Sequence, residues 1–313
     1  MGADNVHATK GERMYDTGST TFMLICTMLV FLMTPGLAFF YGGLSRRKNV
    51  INTMLMCFGA IGLVGVLWIV AGWSLAYGGN GSSPFIGGFD QLLCLPVLNQ
   101  VLQAAESNAA DGAVYPQIIN IAFQMAFAMI TAAIVTGSLA GRVKFGAMTA
   151  FLGIWLLVVY APLAHMVWGG EGSLVGDTIG ALDFAGGDVV HISSGLTGLI
   201  LCLMLGRRRG FGMVSYRPHN VPFVALGAGL LWFGWFGFNC GSEFKADAVA
   251  ARMRASREAY ERGLREEQAM IDAHNAGKRS KDNQGKKQED VRVTGNVLIS
   301  FSLAGRTFTY MHV

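Results

Sequence analysis

MLVFLMTPGLAFFYGGLSRRKNV, residues 28–50, runs without a charge to Ser45 and then meets three bases, Arg46, Arg47 and Lys48. A helix needs about 20 mostly apolar residues to cross a bilayer core. Traced back to residue 20, the run over 20–44 meets that length. Further segments of the same kind lie at 51–77, 116–140, 145–166, 188–206 and 220–240. They are far too long for barrel strands, which leaves the helix as the backbone that can cross lipid. Composition agrees: 14% of the 313 residues are charged and 52% hydrophobic, whereas a soluble domain carries about 25% charged residues. The 42 glycines suit helices packed closely in lipid. The expected fold is an all-α membrane protein of six transmembrane helices.

The connections carry the orientation signal. Arg46, Arg47 and Lys48 follow the first segment, Arg142 and Lys144 the third, and Arg207, Arg208 and Arg209 the fifth. The alternate connections, 78–115 and 167–187, hold no Lys or Arg but do hold Asp90, Glu106, Asp111, Glu171, Asp177 and Asp183. Basic connections stay on the cytoplasmic side, so the N-terminus is expected outside a multi-pass cell (plasma) membrane protein. Residues 1–17 then form an extracellular tail, 18–242 the transmembrane domain, and 243–293 an external, charged and partly disordered insertion. Residues 294–313 are moderately apolar, short for a span and interrupted by Arg306, and read as an incomplete seventh helix or stub. The first span is expected to act as its own insertion signal.

Ionisable groups inside membrane segments are costly and default to functional candidates. His191, in GGDVVHISSGLTGLILCLML (186–205), is the clearest. It is either a satisfied packing residue or part of a path for a proton or polar solute, and an imidazole with a pKa of about 6.5 suits proton handling. His165 ends the fourth segment, where water is near, and carries less weight. Asp183 precedes the fifth segment, where a carboxylate meets unpaired N–H groups, so a plain helix cap is a sufficient reading. Trp168 and the sixth-segment aromatics Trp232, Phe233, Trp235, Phe236 and Phe238 either form interface belts or offer ring faces to a cation. The five cysteines form no CxxC pair and no metal spacing, and read as small buried residues. Ser193 and Ser194 point away from the face of His191, against an intramembrane serine enzyme. No cofactor, no metal and no nucleic-acid partner is expected.

Several strings together resemble the ammonium transporter (Amt/Mep/Rh) family. Residues 28–50 resemble its first helix, FQMAFAMITAAIVTGSLAGR (123–142) its third, and LGAGLLWFGWFGFNCGS (226–242) its sixth. PLAHMVWGGEGSL (162–174), followed by GALDFAGGDVVHISSG (180–195), resembles the signature that leads into its fifth. The resemblance covers residues 18–242, in the family's order. It implies that Phe127 and Phe238 form a stacked gate. It makes Trp168 and Ser242, with the Phe127 ring, an outer recruitment site, and has Asp183 hold that vestibule in shape. His191 becomes the first of two pore histidines, supported by Gln124 and Trp235.

The mechanism implied is recruitment of ammonium outside, loss of its water, deprotonation, and passage of ammonia through a hydrophobic channel, serving nitrogen uptake. The partners implied are ammonium, the lipid bilayer, a homotrimer and a PII-type signalling protein on the cytoplasmic side. The family fold has helices 1–5 and 6–10 as inverted repeats around the pore. His219, His274 and His312 lie in the wrong contexts for the second pore histidine. TGNVLIS (294–300) resembles the start of a seventh helix, whereas AGRTFTYMHV (304–313) does not. The ending therefore reads as truncated or frameshifted. The alternative to transport is a non-transporting interaction or regulatory subunit that joins full-length transporter chains.

Overall fold

A computed structural model describes residues 15–79, 81–102, 115–208, 211, 213, 217–251, 298–303 and 306–311. The chain divides into two units, Met1–Ala250 and Ala251–Val313. In the first, six helices among the described residues are long and apolar enough to cross a membrane: Thr17–Leu44, Arg47–Tyr77, Gln117–Ser138, Phe145–Trp168, Gly187–Leu205 and Val221–Gly241. These first to sixth spans match the expected segments to within a few residues, and the protein is a multi-pass helical membrane protein. A short helix, Leu95–Leu102, interrupts the connection between the second and third.

The first and sixth spans form the most extensive helix pair, and glycine brings them together. A Cβ at Gly227 would lie 2.3 Å from the Phe40 amide nitrogen and 2.6 Å from the Gly36 carbonyl oxygen. One at Gly237 would lie 2.7 Å from the Cys26 carbonyl oxygen. This is backbone meeting backbone, the packing that small residues permit in lipid. The third span is the most enclosed, with Phe123, Ala128, Ala132, Ala133 and Val135 fully buried.

Two ends can be told apart by hydrogen bonds between connections. At one, Asn52 Nδ2 donates to Val143 O (3.2 Å) and His219 N to Ser45 O (3.1 Å). At the same end Arg142 donates to Cys202 O (3.3 Å) and Gly206 O (3.0 Å). A guanidinium on the last carbonyls of the fifth span is well placed against that helix's dipole. At the other, Trp168 Nε1 donates to Asp183 O (2.9 Å) and Ala246 N meets Ser19 Oγ (3.4 Å). Among the described residues, the basic connections thus gather at one end and the acidic connection at 167–187 lies at the other. Asp16 opens the first span at the acidic end, its carboxylate accepting from Gly18 N (3.2 Å) and Ser19 N (2.7 Å). Hydrogen bonding from the Ser19 hydroxyl, and then from these two amides, holds its carboxyl below the usual range.

In the second unit, β1 (Leu298–Leu303) pairs antiparallel with β2 (Arg306–Met311), with Leu298 opposite Met311. The structure thus gives a hairpin in the segment expected to be an incomplete seventh helix or stub. Ile299, Phe301, Thr307, Phe308, Thr309 and Tyr310 favour extended backbone, and Arg306 breaks the apolar run. The tail at 1–14 and most of the charged insertion, 252–293, lie outside the described residues.

Candidate functional site

The third, fourth, fifth and sixth spans converge on an aromatic cluster near the acidic end. Phe127 on the third span and Phe238 on the sixth are stacked, with ring centroids 4.1 Å apart and planes 14° from parallel. Both are 1% exposed. At that spacing the faces are in van der Waals contact and nothing passes between them unless they part. Phe123, one turn before Phe127, backs it at 4.8 Å.

Trp168, at the C-terminal end of the fourth span, sets its ring at 77° to Phe127, centroids 6.2 Å apart. It is half-buried. Ser242 follows the sixth span and is 7% exposed. Its hydroxyl donates to Phe238 O at 2.8 Å. With the proton committed there, the oxygen's lone pairs remain as acceptors.

Asp183 fixes where the fifth span begins. One carboxylate oxygen accepts from Gly186 N (2.6 Å) and Gly187 N (2.7 Å), the other from Asp188 N (2.9 Å) and Val189 N (3.1 Å). Those are the donors that a helix start leaves unpaired. Gly186, at φ +89°, makes the turn; a Cβ there would come within 2.7 Å of the Val190 side chain. Meanwhile the Asp183 carbonyl takes the Trp168 indole N–H. The geometry is that of a helix cap joined to the tryptophan, with the carboxylate engaged by backbone rather than open to a cation. Asp183→Ala is expected to lower stability by about 2 kcal/mol or more, and Asp183→Asn, which keeps one acceptor oxygen, by roughly half as much. Thermal unfolding in nanodiscs checks this, and equal midpoints for wild type and alanine variant would remove the cap from the account.

The span that follows starts as a π-helical turn, Gly187–Ile192, which ends at the residue after His191. The His191 ring stacks on Trp235 (5.9 Å, planes 11° apart) and lies 5.8 Å from Phe238. The histidine and the stacked phenylalanines are therefore neighbours. Ser193 and Ser194 donate their hydroxyls to the carbonyls of Val189 and Val190, leaving no hydroxyl free to act as a nucleophile. Gln124, one turn before Phe127, is 6% exposed, and its amide oxygen has no hydrogen-bond partner among the described residues.

The structure thus brings Phe127, Phe238, Trp168, Asp183, His191, Trp235 and Ser242 into one connected cluster, with Gln124 buried on the adjoining helix face. One residue was undervalued by sequence position. His165, read as lying near water, is 2% exposed. Its partners come from segments more than 80 positions away, which no local pattern reveals.

Among the described residues, six apolar helices with a buried aromatic pair, and a tryptophan ring set edge-on against it, define a helical membrane protein. Residues 21–260 match the family model described as "Ammonium Transporter Family". The chain belongs to that family. It is 47% identical over 245 residues to an ammonium transporter of Aquifex aeolicus, covering 78% of this chain and 54% of the relative. It is 44% identical over 248 residues to one of Mycobacterium bovis, covering 75% and 52%. Its structure resembles the crystal structure of Candida albicans Mep2, with a TM-score of 0.66 and 34% identity, over 75% of this chain and 50% of the other. The chain spans about half the length of the curated relatives it matches.

Proposed function

We propose that this chain serves ammonium transport and carries the recruitment site and aromatic gate of that path. The observation that carries the reading is the Phe127–Phe238 stack with Trp168 and Ser242 at its outer edge. An ammonium ion at this mouth meets a tryptophan face, the ring type that binds cations best, and the Ser242 oxygen. Beyond lies a pair of buried rings with no oxygen to replace the ion's water. Bare charge in such a place is very costly, so the ammonium pKa falls and the proton leaves before ammonia passes. His191, stacked on Trp235 directly behind Phe238, is the first group placed to handle that proton or steady the neutral amine. Asp183 serves the site by setting the Trp168 indole and the start of the fifth span. We place the basic end in the cytoplasm, following the distribution of Lys and Arg, with the Trp168 mouth outside. Assembly with further copies of the chain and a cytoplasmic signalling partner remain part of this proposal.

The test is ammonium binding by the chain in nanodiscs, followed by titration calorimetry. Wild type binds saturably, Trp168→Ala loses at least about tenfold in affinity, and Trp232→Ala, whose ring is 61% exposed on the sixth span, binds as wild type. Unchanged affinity in Trp168→Ala would overturn the recruitment role.

A further inference from the structure

We infer that His165 is a positioning residue for the Trp168 site, an inference that rests on the reading of that site given above. His165 stands three residues before Trp168 on the fourth span, on nearly the same helix face. Its ring is sealed from solvent and meets two acceptors on different segments. Nδ1 lies 3.0 Å from the carbonyl oxygen of Ala76, in the last turn of the second span. Nε2 lies 2.8 Å from the carbonyl oxygen of Ser83, in the connection that follows. A neutral imidazole donates to one of them and an imidazolium to both.

Both acceptors are on backbone that is itself held. Ser74 Oγ donates to Gly88 O (2.8 Å), Asp90 accepts from Gly79 N (2.7 Å), and Leu174 N donates to Pro84 O (3.1 Å). The connection is therefore a fixed ledge, and His165 fastens the outer turn of the fourth span to it. The backbone just after Trp168 packs on the same ring. Gly169 N donates to His165 O at 2.8 Å, and a Cβ at Gly169 would lie 2.8 Å from His165 Nδ1. Trp168 is thus held on two sides: its backbone by the His165 turn, and its indole by the Asp183 carbonyl. A histidine that merely filled space would not need a carbonyl oxygen within hydrogen-bond reach of its ring.

The test uses the whole chain in nanodiscs with ¹⁵N-labelled tryptophan, so that each indole N–H gives its own NMR peak during an ammonium titration. Trp168→Ala identifies the Trp168 peak and reports the site itself. His165→Asn stays polar but is too short to reach both carbonyls. It is expected to displace the Trp168 peak before any ammonium is added, leave the remaining indole peaks in place, and weaken ammonium binding about tenfold. His165→Gln, whose single amide nitrogen reaches one carbonyl, is expected to fall between Asn and wild type. Should the Asn variant fail to fold, seen as collapse of all indole peaks, the Gln variant decides on the same two readouts. Wild-type peak position and affinity in the folded His165 variants, alongside loss of binding in Trp168→Ala, would overturn the positioning role and leave the site intact. Undiminished binding in Trp168→Ala would instead overturn the site reading.

Discussion

Phe238→Ala is expected to abolish most discrimination between ammonium and larger or more strongly hydrated cations. The setting is a fusion in which residues 18–242 replace the matching half of the Aquifex aeolicus relative. The stacked rings are buried and in face-to-face contact, and removing one opens space between the spans. Hydrophobic constrictions act on ions through pore width and dewetting, so the barrier to a hydrated ion falls with the ring. Discrimination should drop by about tenfold or more, since a dehydration difference of even 1.4 kcal/mol is a factor of ten. The same substitution creates a cavity and should lower stability by about 3–5 kcal/mol. The two effects separate cleanly: proteoliposome currents under ammonium and potassium gradients report the gate, and thermal unfolding reports the packing. Lower stability with unchanged discrimination would reduce Phe238 to a core residue.

Gly227→Val is expected to prevent normal assembly of the transmembrane unit. The atoms a Cβ would strike at Gly227, the Phe40 amide and the Gly36 carbonyl, are backbone of the first span and cannot rotate away. The first and sixth spans must therefore separate, and Phe238, three turns further along the sixth, leaves its place over Phe127. Overpacking of this kind costs about 1–3 kcal/mol or more, and here it falls on the largest helix contact in the unit. Gly229→Ala is the control, because a Cβ there meets nothing within 4 Å. Unfolding midpoints in nanodiscs should fall steeply for Gly227→Val and hold or rise slightly for Gly229→Ala. Equal midpoints would mean that the two helices do not meet at Gly227.

The spans were legible because lipid imposes a coarse rule: length and apolarity suffice, and every connection carries one sign of charge. The π-helical turns at Trp68–Gly72, Leu156–Tyr160 and Gly187–Ile192 were not legible, since they shift hydrogen bonds without changing hydropathy. The gate was reached through resemblance. Composition could mark Phe127 and Phe238 as apolar, but nothing local says that two distant rings stack. Asp183 was legible as a helix cap from its place before the fifth span; that its carbonyl also holds Trp168 depends on how two connections fold together. His165 was misjudged for a similar reason: a residue at the end of a span is normally wet, and this one is dry, with the backbone of Ala76 and Ser83 against its ring. The final hairpin was not legible to a reading by hydropathy, which offered an incomplete helix or stub; the signal lies in the β-branched and aromatic content of the stretch.

The central claim, that Trp168 and its neighbours recruit ammonium ahead of an aromatic gate, is tested most directly by current. Proteoliposomes holding the same fusion are given inward ammonium gradients of increasing size, with and without Trp168→Ala. The account predicts a saturable ammonium-dependent signal whose half-saturation concentration rises about tenfold in Trp168→Ala. A signal that never saturates, or one with the same half-saturation in both proteins, would contradict it.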